Sequence, residues 1–296
     1  MLREGKSVAG DSLYFDAPDG LRLHAATYGP KDAPLTALCM HGLTRNHKDF
    51  EPMIAALPDR YRFISVDVRG RALSDRDPNP ENYKPATYVG DMTALLDRLG
   101  LRRVALIGTS MGGLMSMIMA KAMPDRISGI VMNDVGPVLD KAGLDRIAAY
   151  AGKTEPFDSW QAAADAVARV QGDIFPDYGP DDWMAFARRT CREGDDGLIH
   201  LDYDPAITRT VSDVRPGFFT RRAMWRLFRA TRRKPLLVIR GETSDILSQK
   251  TARKMIRIHP DARLVTVPRV GHAPILDEPE AVSAISTFLA RLEGLR

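Results

Sequence analysis

Short, continuous apolar runs recur along the chain at Leu35 to Met40, Phe63 to Val66, Val104 to Ile107, Ile127 to Met132 and Leu236 to Ile239. Each soon meets Gly, Asp or Asn and is followed by helical periodicity. That alternation predicts a mostly parallel sheet, because parallel strands need helical crossovers and strands covered on both faces are apolar throughout rather than at every second position. Leu13 to Phe15 and Leu21 to Tyr28, flanking Asp19-Gly20, read instead as an antiparallel hairpin at the sheet edge. Phe50, Met53, Ile54 and Leu57, and then Tyr88, Met92, Leu95, Leu96 and Leu99, carry the stripe of helices packed on the sheet. Ala262 to Val267 is expected to be the last strand and Ile275 to Leu292 the last helix.

The alternation stops between Pro137 and Arg233, where helices separated by Pro and Gly are expected and no strand is evident. All three tryptophans, Trp160, Trp183 and Trp225, lie in this stretch, with half of the other aromatics. The expected organisation is therefore a core of residues 1–136 and 234–296 with an inserted helical unit at 137–233. A length of 296 residues accommodates both.

With 44% hydrophobic and 27% charged residues, neither disorder nor a membrane class is favoured. No run approaches the ~18 apolar residues of a spanning helix. Met1 to Ser12 lacks the apolar core of a signal peptide, and Cys39 and Cys191 form no CxxC or metal-binding spacing, so a cytoplasmic protein with two inert thiols is expected. The net charge of +4 owes much to Arg222, Arg226, Arg229 and Arg233, whose helical spacing beside Trp225 and Phe228 predicts a solvated helix face rather than a nucleic-acid site.

Gly108-Thr109-Ser110-Met111-Gly112 directly follows one apolar run and directly precedes the helical stretch Leu114 to Ala122. A bare G-x-S-x-G arises by chance in roughly one chain in ten of this length. On a strand-turn-helix it has a mechanical meaning: the turn is sharp, the glycines let backbones pass, and the serine projects above the carboxyl ends of the strands. A serine hydroxyl needs a base to become nucleophilic. His272, in Val270-Gly271-His272-Ala273, follows the last expected strand at the same edge and is the expected base. His24, His200 and His259 read as surface or structural, and His41 as shaping the loop His41-Gly42-Leu43-Thr44. The histidine in turn needs a carboxylate to fix its tautomer. Asp245, in Gly241-Glu242-Thr243-Ser244-Asp245, is the expected partner and Asp134 the alternative. The backbone N–H groups of Leu43 and Met111 are the expected donors to an oxyanion.

Ser110, Asp245 and His272 in that order resemble the α/β-hydrolase superfamily, as do His41-Gly42, Asp67-Val68-Arg69-Gly70, Gly108 to Gly113, Arg240 to Asp245 and Gly271-His272. The resemblance covers nearly the whole chain and implies an α/β-hydrolase fold whose insertion is a helical cap over the site. Relatives often carry a second glycine in the loop that here reads Arg69-Gly70-Arg71. Haloalkane dehalogenases and epoxide hydrolases have an aspartate where this chain has Ser110, and meta-cleavage C–C hydrolases a tryptophan where it has Ala273. A carboxylesterase acting through an acyl-enzyme on Ser110 is therefore expected, without metal or cofactor. C–C bond hydrolysis and a non-catalytic small-molecule-binding protein are the alternatives. The expected partner is a small-molecule ester, with Trp160, Trp183 and Phe219 as substrate contacts; neither a nucleic acid nor a membrane is expected, and the chain is a monomer or a homodimer.

Overall fold

The described residues open with the expected hairpin: β1 (Asp11–Asp16) pairs antiparallel with β2 (Arg22–Tyr28). A computed structural model describes residues 10–152, 155–209 and 218–295, with backbone alone at 218 and 219. After the hairpin come β3 (Thr36–Met40), α1 (Glu51–Ala56), β4 (Arg62–Asp67), α2 (Pro85–Arg98), β5 (Val104–Thr109), α3 (Met111–Ala122) and β6 (Ile127–Asn133). A helical stretch follows, with α4 (Lys141–Tyr150), α5 (Trp160–Gln171), α6 (Pro180–Thr190), the short strands β7 (Cys191–Glu193) and β8 (Ile199–Leu201), and α7 (Phe218–Ala230). The alternation then resumes with β9 (Leu236–Gly241), α8 (Gln249–Ile258), β10 (Ala262–Val267) and α9 (Pro279–Gly294).

Among the described residues, eight strands form one sheet in the order β1-β2-β4-β3-β5-β6-β9-β10. From β4 to β10 every pairing is parallel; only the hairpin end is antiparallel. Leu38 and Met40 of β3 point into a core shared with α2, α3 and α8, while Ala37 and Cys39 point into one shared with α1 and α9. Both faces of the sheet are thus covered, which is why β3, β5, β6 and β9 are buried at every residue and carry continuous apolar runs. A third apolar cluster joins α5, α6 and the β7–β8 hairpin. Among the described residues no helix is long and apolar enough to cross a membrane.

Two expectations change. The stretch between β6 and β9 does contain strands, but each has three residues, too few for a periodic signal. The last helix starts at Pro279 and not at Ile275, because the Glu278 carboxylate accepts from the N–H groups of Ile275 and Leu276 and Leu276 has a positive φ, which holds those residues in a loop. The arginine face of α7 is as expected: Arg222, Arg226 and Arg229 are exposed while Phe228 is buried.

Candidate active site

After β3 the chain crosses to β4 on one side and then returns to β5 on the other. The carboxyl ends of β3 and β5 therefore flank a crevice where the strand order reverses, the usual ligand position in an open α/β sheet. The loop after β3 carries His41-Gly42-Leu43, and the turn after β5 carries Ser110.

Ser110 has φ +51° and ψ −110°, an unfavourable region for a residue with a Cβ. The surroundings hold it there. Its N–H donates to Asn133 O at 3.0 Å and its carbonyl accepts from Gly113 N at 2.9 Å. The flanking glycines are required by contact: a Cβ on Gly108 would lie 2.4 Å from the Gly112 backbone, and one on Gly112 would lie 1.9 Å from Met40 O.

Ser110 Oγ lies 3.0 Å from His272 Nε2, and His272 Nδ1 lies 2.8 Å from Asp134 Oδ2. Asp134 is fully buried and its other bonds fix it: Oδ1 accepts from Gly241 N at 3.0 Å and Oδ2 from Ser244 Oγ at 2.5 Å. Asn133 supports both sides, its Nδ2 donating to Thr109 Oγ1 at 3.1 Å and to Pro274 O at 2.8 Å. The expected partner Asp245 is thereby corrected. It lies beyond the end of β9 and makes a two-point ion pair with Arg146 of α4, at 2.7 and 2.8 Å. Asp134 instead follows β6, the neighbour of β5, and sits directly behind the histidine.

His41 shapes its loop as expected. Its Nε2 accepts from Val68 N at 3.1 Å, so Nδ1 carries the proton and donates to Gly42 O at 2.6 Å. Burial, reinforced by the charge of Arg71, pushes its pKa down to about 4 and keeps it neutral. Because the Gly42–Leu43 peptide is planar and its carbonyl is turned to His41, the Leu43 N–H faces the opposite way. Met111 begins α3, so its N–H is one of the helix's free first-turn donors.

A well of about 50 Å³ is lined by Leu43, Thr44, Arg45, Ser110, Tyr150, Gln171 and His272, among others. Thr44, Arg45, Tyr150 and Gln171 also border a larger chamber of about 860 Å³, whose further walls include Phe157, Val167 and Phe186. Trp160 and Trp183 border neither cavity. Trp160 stacks under the Arg188 guanidinium at 4.5 Å, and Trp183 packs on Phe175, Tyr178 and Phe186. The side chain of Phe219 lies outside the described residues.

Among the described residues, His24, His47 and Asp67 are the group that could gather round a cation. Their geometry is already closed without one: Asp67 accepts from His24 Nδ1 at 2.7 Å, from His47 Nδ1 at 2.9 Å, and from the backbone N–H groups of His47 and Leu73. These bonds hold the Asp67 carboxyl well below its usual range despite burial. The cluster ties β2, β4 and the turn before α1 together.

A strained serine on a strand-turn-helix, bonded to a histidine backed by a buried aspartate, defines the class of α/β serine hydrolases. A family model described as the alpha/beta hydrolase family matches residues 37–285, and the chain belongs to that family; it is a hydrolase. It is 32% identical over 278 residues to the 3-hydroxybutyrate-oligomer hydrolase of Cupriavidus necator, covering 92% of this chain and 94% of that protein. It is 30% identical to the 2-(acetamidomethylene)succinate hydrolase of Mesorhizobium japonicum, covering 85% and 87%. Among solved structures, an alpha/beta hydrolase from Novosphingobium aromaticivorans superposes with a TM-score of 0.88 at 41% identity, over 98% of this chain and 99% of that one.

Proposed function

We propose that this hydrolase cleaves carboxylic esters through an acyl-enzyme on Ser110, with His272 as general base and Asp134 as the carboxylate behind it. The observation that carries this reading is the continuous hydrogen-bond line from Ser110 Oγ through the His272 ring to Asp134 Oδ2. As Oγ bonds the ester carbonyl carbon, its proton passes to Nε2 and the carbonyl electrons move onto oxygen. The Leu43 and Met111 N–H groups donate to that oxyanion. Collapse restores the carbonyl and expels the alcohol, which takes the proton from Nε2. Water then repeats the sequence on the acyl-enzyme and releases the acid.

Residues 137–233 form the cap of this site. They supply most of the walls of the 860 Å³ chamber, a volume within the usual range for small-molecule pockets. The name of the Cupriavidus necator relative makes short hydroxyacyl oligoesters the first substrates to assay.

A fluorophosphonate probe, followed by peptide mass spectrometry, tests the reading together with a substrate panel of p-nitrophenyl butyrate, the 3-hydroxybutyrate dimer and trimer, 2-(acetamidomethylene)succinate and a ring-cleavage diketone acid. Labelling at Ser110, lost in Ser110→Ala together with ester turnover, is expected. Labelling at another serine removes the nucleophile assignment. Preference for the diketone acid over every ester moves the reaction to carbon–carbon cleavage.

A further inference from the structure

Two arginines stand two residues apart behind the site, both fully buried, and they are neutralised in opposite ways. Arg69 is surrounded by carboxylates: Nε and Nη2 meet Asp91 at 2.8 and 2.5 Å, and Nη1 meets Asp19 at 2.7 Å and Asp77 at 2.5 Å. Arg71 bonds to no carboxylate among the described residues. Its Nε donates to Leu43 O at 3.0 Å, Nη1 to Arg69 O at 2.7 Å and Tyr88 Oη at 3.1 Å, and Nη2 to Met111 Sδ at 3.7 Å. The rings of Tyr83 and Tyr88 lie 5.8 and 5.1 Å from its guanidinium carbon.

A buried arginine held only by neutral dipoles is an expensive arrangement, since a charge removed from water is normally paired. Two of its four polar partners belong to Leu43 and Met111, the residues whose backbone N–H groups face the developing oxyanion in the reading above. They come from different strand ends, and the Arg71 guanidinium bonds to both. The loop bends to place it there. Ala72 has φ +42°, where a glycine would be unstrained, and its N–H is held by Asp202 O at 3.0 Å. Burial first, and then the nearby charge of Arg71, lower the pKa of His41.

We infer that Arg71 is a positioning residue for the oxyanion hole: its guanidinium fork fixes the Leu43 loop relative to the start of α3, and its unpaired charge adds a positive field behind the two donors. The inference rests on the Ser110 reading. Both contributions act on charge that appears in the transition state, so they should fall on kcat and leave KM nearly unmoved.

The test compares wild type, Arg71→Met and Arg71→Lys by kcat, KM and the inhibition constant of a trifluoromethyl ketone, whose Ser110-bound hemiketal oxyanion occupies the hole. Removal of a single direct oxyanion donor costs about 10² to 10³ in kcat, so an indirect support should cost about 10- to 100-fold. For Arg71→Met we expect that fall with KM within about twofold, and a parallel rise in the ketone constant. Arg71→Lys should recover part of the loss, because it restores charge without the fork. If kcat of Arg71→Met stays within about twofold of wild type, or if kcat falls while ketone affinity is unchanged, the inference is overturned. Should Arg71→Met not fold, Arg71→Lys decides: a fall of at least about threefold in kcat, matched by the ketone, upholds it, and unchanged values overturn it. Fluorophosphonate labelling of wild type is done first. Absence of label at Ser110 defeats the underlying reading, whereas a labelled wild type with indifferent Arg71 variants defeats only this one.

Discussion

Asp134 Oδ2 meets His272 Nδ1 at 2.8 Å across 138 residues of sequence, while Asp245, on the next strand end, is taken by Arg146. The two acids should therefore respond very differently to loss of charge. Asp134→Asn is expected to lower kcat on a butyrate ester by roughly 10⁴-fold, the effect of misplacing the tautomer of a catalytic histidine. Asp245→Asn should cost less than about tenfold. Steady-state kinetics on both variants, with a melting curve to confirm folding, checks the assignment; a reversed ranking would remove Asp134 from the triad.

How far the sequence reached depends on whether the signal is local. Ser110 was legible because the strand, the two glycines and the helix that strain it are contiguous, and His272 because it follows the last strand at the same edge. The acid was not, because Asp134 and Asp245 both follow apolar runs that become strands, and what separates them is that β6 lies beside β5 while β9 lies one strand further out. Strand order along the chain does not contain that adjacency. Trp160 and Trp183 were misplaced for a related reason, although Tyr150, Phe157, Phe186 and Tyr203 of the same stretch do line the larger chamber. Aromatic content marks a packed unit but not which rings face the cavity, and Trp160 and Trp183 face the α5–α6 packing and Arg188 instead. Arg71 stood out only as a departure from a glycine-rich loop; its contacts with Leu43 and Met111 are tertiary.

The turn at Ser110 should be intolerant of even one added methyl group. A Cβ on Gly112 would sit 1.9 Å from Met40 O, a backbone atom of β3 that cannot swing aside. Gly112→Ala should destabilise by about 1–3 kcal/mol or more as overpacking and remove activity. Gly90, on α2, has open space at its Cβ position, so Gly90→Ala is the matched control and should be neutral or stabilising. Chemical denaturation of the two variants gives the comparison, and equal stability of both would mean that the close approach at β3 is absent.

Glu278 predicts a pH dependence of known sign. Desolvation, then the neighbouring Asp277, pushes its carboxyl up to about 7, against the N–H bonds from Ile275 and Leu276 that favour the charged form. The unfolded chain loses this proton near 4.5 and the folded chain near 7, so the contribution to stability is fully present below about 4.5 and is lost as pH rises to 7. Glu278→Gln removes the titration. The melting temperature of wild type minus that of the variant should therefore fall between about pH 5 and 7.5 and level off above it. A difference independent of pH would show that Glu278 does not titrate in this range.

The chamber beside the Ser110 well sets the last prediction. Val167, on α5, lies in its wall, while Thr44, Arg45, Tyr150 and Gln171 border both spaces. If residues 137–233 select the substrate, a larger side chain at Val167 should shorten the acyl or alcohol chain that fits without touching the chemistry. Val167→Phe is expected to lower kcat/KM for an octanoate ester by about tenfold or more, since a few displaced methylenes are each worth roughly 1 kcal/mol. The acetate ester, small enough to stay near the well, should change by less than about twofold, and fluorophosphonate labelling of Ser110 should be retained. Trp160→Ala is the informative partner. Its ring is stacked with Arg188 away from both cavities, so it should leave the octanoate-to-acetate ratio unchanged even if stability falls. A ratio that moves with Trp160 and not with Val167 would place the substrate on the other side of α5 and refute the chamber as its binding site.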